Sequence, residues 1–401
     1  MVDLNKAKAE VLKCINESDL IQLSRELIKI PSPTGEEKAV SDYTASTLRR
    51  MGLEVLQPAS VPDRPNVRGV WKGVGGGPSV QFSGHMDTVG PGDVKKWITD
   101  PFGGEVIDGK IYGRGSMDSK GGGMASSIIA LKAIQDAGVR LKGDVVIVGT
   151  VDEEVGGKLG MRHLAKAGLL TSDRYVYCVH SDMEIKAYFK GVLWTKLIVR
   201  GQTAHGSMPY KGVSAITRAA RFITAMDDGA ISAPPHPILG NFTVNFGWIH
   251  AGGPANRFNM VADYCENAYD MRLIPGQTPE GVKAQMEAIL AKQKAKDPAF
   301  DYTLETVMMD PPAQVSESDP NLIAVREAAK EVLGHYPKVG GTIATGDLGG
   351  VFQVGKTGVG FGPGDLERGN AHKENEFLEL DQLMATTKIY ALIMLEQCGV
   401  A

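Results

Sequence analysis

Apolar positions fall on one stripe at helical spacing early in the chain. Residues 3–30 read as helix, with Leu20, Leu23, Leu27 and Ile28 on one face, a break near Ser18 as an N-cap, and a stop at Pro31-Ser32-Pro33. Thr34-Gly35-Glu36-Glu37 reads as a capping box opening a second helix that runs to about Met51. The period then changes. Val67–Trp71 and Val80–Phe82 are short strands, and Asp144–Thr150 is a nearly continuous apolar run of the kind buried on both faces of a sheet. Tyr175–Val179 and Gly358–Phe361 repeat that run, while Met124, Ile128, Ile129, Leu131 and Ile134 return to helical spacing. Helices over Asn321–Leu333 and Asp381–Glu396 close the chain.

Residues 187–306 follow another rhythm. Strands at Val192–Val199, Asn241–Ile249, Ala262–Leu273 and Asp301–Thr306, with helices at Val213–Met226 and Thr278–Lys294, spell β-α-β-β-α-β, the split ferredoxin-like unit. The fold class expected is therefore α/β. A mixed, mostly parallel sheet flanked by helices is built from residues 1–186 and 307–401, and a ferredoxin-like α+β domain, residues 187–306, is inserted into it. A chain of 401 residues has room for both cores.

The apolar runs of the first domain share one property: each runs out into acidic or imidazole residues. Val80–Phe82 leads to His85 and Asp87, Asp144–Thr150 to Asp152-Glu153-Glu154, Tyr175–Val179 to His180-Ser181-Asp182, and Gly358–Phe361 through a glycine-rich turn to His372. Asp118 stands before another glycine-rich turn. Ligands of open α/β sheets bind beyond the carboxyl ends of the strands, so these residues are expected to meet.

Composition narrows the chemistry. A net charge of −4 without a basic block excludes nucleic acid and anionic membranes as partners, and no apolar run reaches membrane-spanning length. Four dispersed cysteines (Cys14, Cys178, Cys265, Cys398) and a polar N-terminus place the chain in a reducing cytoplasm, without a thiolate metal site. Ser119-Lys120 lacks the order of a phosphate loop, and no G-x-S-x-G is present. The candidate donors His85, Asp118, Glu153 or Glu154, His180 or Asp182, and His372 exceed the needs of one tetrahedral ion. They suit two divalent ions, Zn²⁺ first with Mn²⁺ or Co²⁺ as alternatives, sharing one carboxylate and activating a water. Adjacent glutamates on extended backbone diverge, so one of Glu153 and Glu154 binds metal while the other serves as general base. Asp87, two residues beyond His85, is placed to hold its distal ring nitrogen.

Ser83-Gly84-His85-Met86-Asp87-Thr88-Val89, Tyr112-Gly113-Arg114-Gly115-x-x-Asp118-x-Lys120-Gly121-Gly122, Asp152-Glu153-Glu154 and Ala371-His372-x-x-x-Glu376 together resemble the M20 metallopeptidase family, which includes acetylornithine deacetylase and succinyl-diaminopimelate desuccinylase. Gly201-x-x-Ala204-His205-Gly206-x-x-Pro209 extends the resemblance into the inserted domain, which in that family is a lid or dimerisation domain. The resemblance implies that His85 and His372 bind one ion each, that Asp118 bridges them, that Glu154 is a ligand and that Glu153 is the base, with Asp87 orienting His85. It further implies that His205 reaches across a homodimer to stabilise the oxyanion, and that Asn259 and Arg272 contact the substrate, Arg272 as a carboxylate clamp. The Gly340–Gly350 loop with Thr345 and Asp347 resembles a further substrate contact.

Three departures from the family stand out. Ser119 replaces a common methionine after Asp118, where a cis peptide is expected. His180-Ser181-Asp182 replaces the usual carboxylate, with Asp182 slightly favoured over His180 because it preserves that chemistry. Gly253–Phe258 replaces a run of small residues, pointing to an unusual specificity. The function expected is hydrolysis of an amide C–N bond in a small carboxylate-bearing substrate of the N-acyl amino acid type. The alternatives are dipeptide or C-terminal peptide cleavage, or cleavage of another C–N bond such as an aryl amine or ureido group. A scaffold that has lost catalysis is disfavoured by the complete donor set, and a phosphoesterase by the lack of basic residues beside it.

Overall fold

The buried central strands explain the unbroken apolar runs. Val80–His85 and Val145–Thr150 are buried at every position, so neither face tolerates the polar alternation of a half-exposed strand. A computed structural model of the protein describes residues 3–252 and 258–401; Gly253–Arg257, most of the unusual loop, lies outside the described residues. The chain divides into two compact units, one holding residues up to Ala187 with Val315–Gly340 and Gly346–Ala401, the other Tyr188–Gln314 with Gly341–Thr345. The return comes at Val315 rather than at residue 307, because Asp301–Asp310 continues as a full edge strand paired with Gly191–Arg200.

In the first unit the four runs that lead to candidate ligands lie side by side and parallel, in the order Val145–Thr150, Val80–His85, Arg174–Tyr177, Val359–Gly360. Antiparallel strands flank them: Val67–Trp71 and Glu54–Leu56 on one side, and Ile185–Phe189 on the other. The sheet is thus mixed with a parallel centre, and its carboxyl ends collect the polar residues. The closing helix Leu380–Cys398 packs with Leu4–Cys14, Ala125–Asp136 and Pro320–Leu333. Tyr390 fixes it to the sheet, its ring 4.9 Å from that of Phe82 and its hydroxyl donating to the Phe361 carbonyl.

Two local expectations are corrected. The second helix, Glu17–Ile28, is capped by Asn16, whose side chain accepts the N–H of Ser18 and Asp19, so Ser18 lies inside it. No capping box forms at Thr34–Glu37. The helix Lys38–Arg50 starts without a side-chain cap, since Glu37 accepts from Arg64 and Thr34 turns to Asp87. At the first place one local cap replaces another; at the second, longer-range partners displace the local motif.

The second unit orders its antiparallel strands Thr243–Gly252, Tyr264–Leu273, Gly191–Arg200, Asp301–Asp310, the ferredoxin-like arrangement. Ala215–Asp227 and Pro279–Lys296 pack on it around Leu193, Leu197, Phe222, Tyr269 and Met286. Among the described residues no helix is long and apolar enough to cross a membrane.

Candidate metal centre

His85 is the last residue of its strand and is buried. Its Nδ1 lies 2.9 Å from the Asp87 carbonyl oxygen and 3.6 Å from the Asp87 carboxylate, which directs Nε2 outward to Asp118 Oδ1 at 2.9 Å. The same Oδ1 is 3.2 Å from His180 Nδ1. The other oxygen, Asp118 Oδ2, is 3.2 Å from His372 Nε2, which in turn is 3.1 Å from Glu154 Oε2. One carboxylate therefore presents its two oxygens to two donor sets, His85 with His180 on one side and Glu154 with His372 on the other. The donor atoms of Asp118, Glu154 and His372 lie within 4.8 Å of one another. The peptide bond after Asp118 is cis.

Electrostatics follow from this packing. Burial opposes ionisation of Asp118, yet the imidazoles of His180 and His85 hold its carboxyl well below the usual range. Reciprocally, and against the effect of burial, Asp118 holds His85 well above the ordinary imidazole value. Hydrogen bonds to Asp118 and Glu154 push His372 up to about 10. An N,O donor set without sulfur, arranged on both oxygens of a buried carboxylate, fits a pair of divalent ions.

Glu153 and Glu154 sit on a single 3-10 turn rather than on extended chain. Their side chains still diverge: Glu154 meets His372, while Glu153 Oε1 is 3.2 Å from the Tyr177 hydroxyl. Burial, with Asp347 and Asp118 nearby, pushes the Glu153 carboxyl up to about 7. Asp87 serves both halves of the centre. Behind His85, its carboxylate accepts the N–H of Glu153 at 3.1 Å and of Glu154 at 3.2 Å, and the hydroxyl of Thr34 at 2.8 Å. Asp152, by contrast, is committed to Arg64, which also binds Glu37.

His180, not Asp182, reaches Asp118. The chain turns at Ser181, which bonds to Gly362 through its hydroxyl, and Asp182 adopts a left-handed conformation with φ 51°. Its carboxylate accepts from Arg368 at 2.6 Å and Gln382 at 3.0 Å. That geometry favours His180 over the Asp182 preferred from the sequence, since the turn carries the Asp182 side chain to a different set of partners.

With the strand-end donors gathered in this way, comparison with known proteins is decisive at the family level: residues 81–396 match peptidase family M20/M25/M40. The chain belongs to this family. This M20 protein is 27% identical to the N-formyl-4-amino-5-aminomethyl-2-methylpyrimidine deformylase of Bacillus subtilis (strain 168), with 96% of each chain covered. It is 28% identical to a succinyl-diaminopimelate desuccinylase of Methylorubrum extorquens (strain PA1), covering 82% of this chain and 86% of the relative. In fold it resembles the crystal structure of aminopeptidase PepT from Bacillus cereus ATCC 10987, with a TM-score of 0.76, 22% identity, and coverage of 96% of this chain and 100% of the other. The M20 protein is accordingly a metal-dependent hydrolase of the amidohydrolase and peptidase kind.

The remaining candidates of this M20 protein lie in its second unit. His205 is exposed, with Nδ1 2.8 Å from the Ser207 hydroxyl. Asn259 is exposed and its carbonyl accepts from Gly206. Arg272 pairs with Asp270 on its own strand at 2.9 Å. Thr345 is buried and its hydroxyl donates to Asp310 at 3.0 Å.

Several residues around the centre escape sequence reasoning. Thr34 is disguised as a helix cap. Tyr177 sits in an apolar run and reads as core. Gly346, at φ 53°, leaves room for both groups behind the base, since a Cβ there would lie 2.8 Å from the Tyr177 ring and 3.2 Å from Glu153 Oε1. Lys120 is fully buried, donating to the Ile30 carbonyl at 2.6 Å and the Ser32 hydroxyl at 2.8 Å, and burial pulls its ammonium down to about 7. It anchors the Ile30–Thr34 segment that backs Asp87.

Proposed function

We propose that the protein is a two-ion deacylase that hydrolyses the amide bond between a small acyl group and a carboxylate-bearing amine. The observation that carries this reading is the Asp118 carboxylate, with one oxygen toward His85 and His180 and the other toward His372 and Glu154. Two divalent ions, Zn²⁺ before Mn²⁺ or Co²⁺, would be held by those residues and would supply Lewis acidity and an acidified water. The chain's own groups do the rest. Glu153, held at Oε1 by Tyr177, takes a proton from the attacking water at Oε2 and returns it to the leaving nitrogen. Asp87 fixes the His85 tautomer and, through the two N–H groups it accepts, the turn that carries base and ligand. Asn259 and Arg272 are proposed to bind the substrate, Arg272 by its carboxylate, and His205 to stabilise the oxyanion from the second copy of a homodimer. The partly exposed Trp248 and the exposed Ile249 on the edge strand Thr243–Gly252 support an interface in the second unit. Four free cysteines are in keeping with a reducing cytoplasm.

Deacylation is preferred to peptide cleavage because two relatives, matched over 96% and 86% of their own lengths, carry the names deformylase and desuccinylase. The test is a panel of N-formyl, N-acetyl and N-succinyl amines beside dipeptides, assayed with each of the three metals. Turnover of an N-acyl compound, abolished by chelation and restored by metal, is expected. Hydrolysis confined to dipeptides would replace this reading with a peptidase, and activity that survives chelation would end it.

The ligand choice has its own test. His180→Ala should weaken one of two ions by more than the roughly 10–100-fold that loss of an outer hydrogen-bond partner costs, while Asp182→Ala leaves both in place. Calorimetric metal titration reads the difference, and the reverse result would restore Asp182 as the ligand.

A further inference from the structure

The Glu154/His372 side of the centre is assembled from distant and weakly braced pieces. His372 stands on a loop after the last parallel strand, with its side chain half exposed. Asn370, His372 and Asn375 all adopt left-handed conformations, so no regular element holds the imidazole. Asp118 lies 254 positions away along the chain. A buried carboxylate ties the two loops together. Glu376 is 1% exposed and accepts two hydrogen bonds at each carboxylate oxygen. Oε2 takes Arg114 Nη1 at 2.7 Å and the Gly115 N–H at 3.1 Å; Oε1 takes the Met117 N–H at 3.0 Å and the Asp118 N–H at 3.2 Å. Arg114 completes the clasp by donating through Nη2 to the Lys373 carbonyl at 2.9 Å, next to His372. Four hydrogen bonds to one buried carboxylate thus hold the two loops to each other.

We propose that Glu376, with Arg114, is a positioning residue for one of the two ions, the ion held by Glu154, His372 and Asp118 Oδ2. The inference rests on the two-ion reading above. The asymmetry comes from the scaffold. His85 and His180 are placed by the ends of adjacent strands and touch neither Glu376 nor Arg114, so their ion keeps two well-braced ligands when the clasp is removed. The other ion would keep only Glu154 in place, because Asp118 and His372 are both set through Glu376.

Glu376→Gln retains the shape but turns one acceptor into a donor facing N–H groups. In a two-step calorimetric titration of the full-length protein with Zn²⁺, one step should weaken roughly 10–100-fold while the other stays within about threefold. The weakened step should be the one that His372→Ala abolishes. Should Glu376→Gln not fold, Arg114→Lys keeps the charge but loses one arm of the clasp, and a selective loss of several-fold at the same step is expected. Equal loss at both steps, or no loss, in whichever variant folds overturns the proposal. A parent protein that binds fewer than two ions instead defeats the two-ion reading itself, so the two failures are distinct.

Discussion

Asp118→Ala should leave the protein with less than one bound ion per chain and reduce turnover by about three orders of magnitude, the equivalent of several kcal/mol of lost transition-state stabilisation. The reason is that, among the described residues, Asp118 alone faces both donor sets, through Oδ1 to His85 and His180 and through Oδ2 to His372. Removing it takes a ligand from each ion and the negative charge that keeps them together. Metal content after dialysis and the rate on the best substrate of the panel check this; two ions bound as tightly as in the parent would refute the bridging role. A pH signature accompanies it. Asp118 and Glu154 push His372 up to about 10, so an ion must displace a proton there at neutral pH. Metal affinity of the parent should therefore fall as pH is lowered. In Asp118→Ala the imidazole loses one of the two carboxylates that hold its proton, and the dependence flattens.

Glu153→Ala is expected to give the opposite dissociation of properties: both ions retained and kcat lowered about 10²–10⁴-fold, the usual range for loss of a general base. Glu153 lies beside the centre but makes its hydrogen bond to Tyr177, not to an imidazole, while its neighbour Glu154 meets His372. Burial pushes its carboxyl up to about 7, which suits a group that takes and returns a proton near neutral pH. Since the missing function is confined to the chemical step, KM should change little. Glu153→Gln should behave alike, because an amide cannot accept the proton. Near-normal turnover with metal bound would transfer the role to another group. Asp347, buried close by with its carboxyl pushed up to about 6, would be the first to examine.

Much of this was legible in the chain because burial writes itself into composition. A strand covered on both faces must be apolar, so the point at which Val80–His85 or Val145–Thr150 turns polar is visible without coordinates. The β-α-β-β-α-β rhythm of the second unit was legible for the same reason, its helices and strands alternating periods. Residues whose role depends on partners far along the chain were not. Thr34 satisfies a capping box as well as it satisfies Asp87, 53 positions away, and only the fold chooses between them. Tyr177 would be core but for the Glu153 carboxylate, which the parallel strands on either side of Val80–His85 bring to its hydroxyl. Glu376 enters the sequence reading only as the end of the Ala371-His372-x-x-x-Glu376 motif, without a role, and only the approach of the Gly115–Asp118 backbone makes it a clasp.

By itself the sequence determined the family, the sheet that carries the centre and the nitrogen and oxygen donors that end its strands, since these follow from hydrophobic period and residue type, both local properties. Tertiary structure alone decided which donors share a carboxylate. A two-residue difference between His180 and Asp182 is invisible to periodicity, yet a turn anchored by Ser181 to Gly362 sends one side chain to Asp118 and the other to Arg368. Direction in space, set by bonds between segments distant in the chain, separates two side chains that spacing could not.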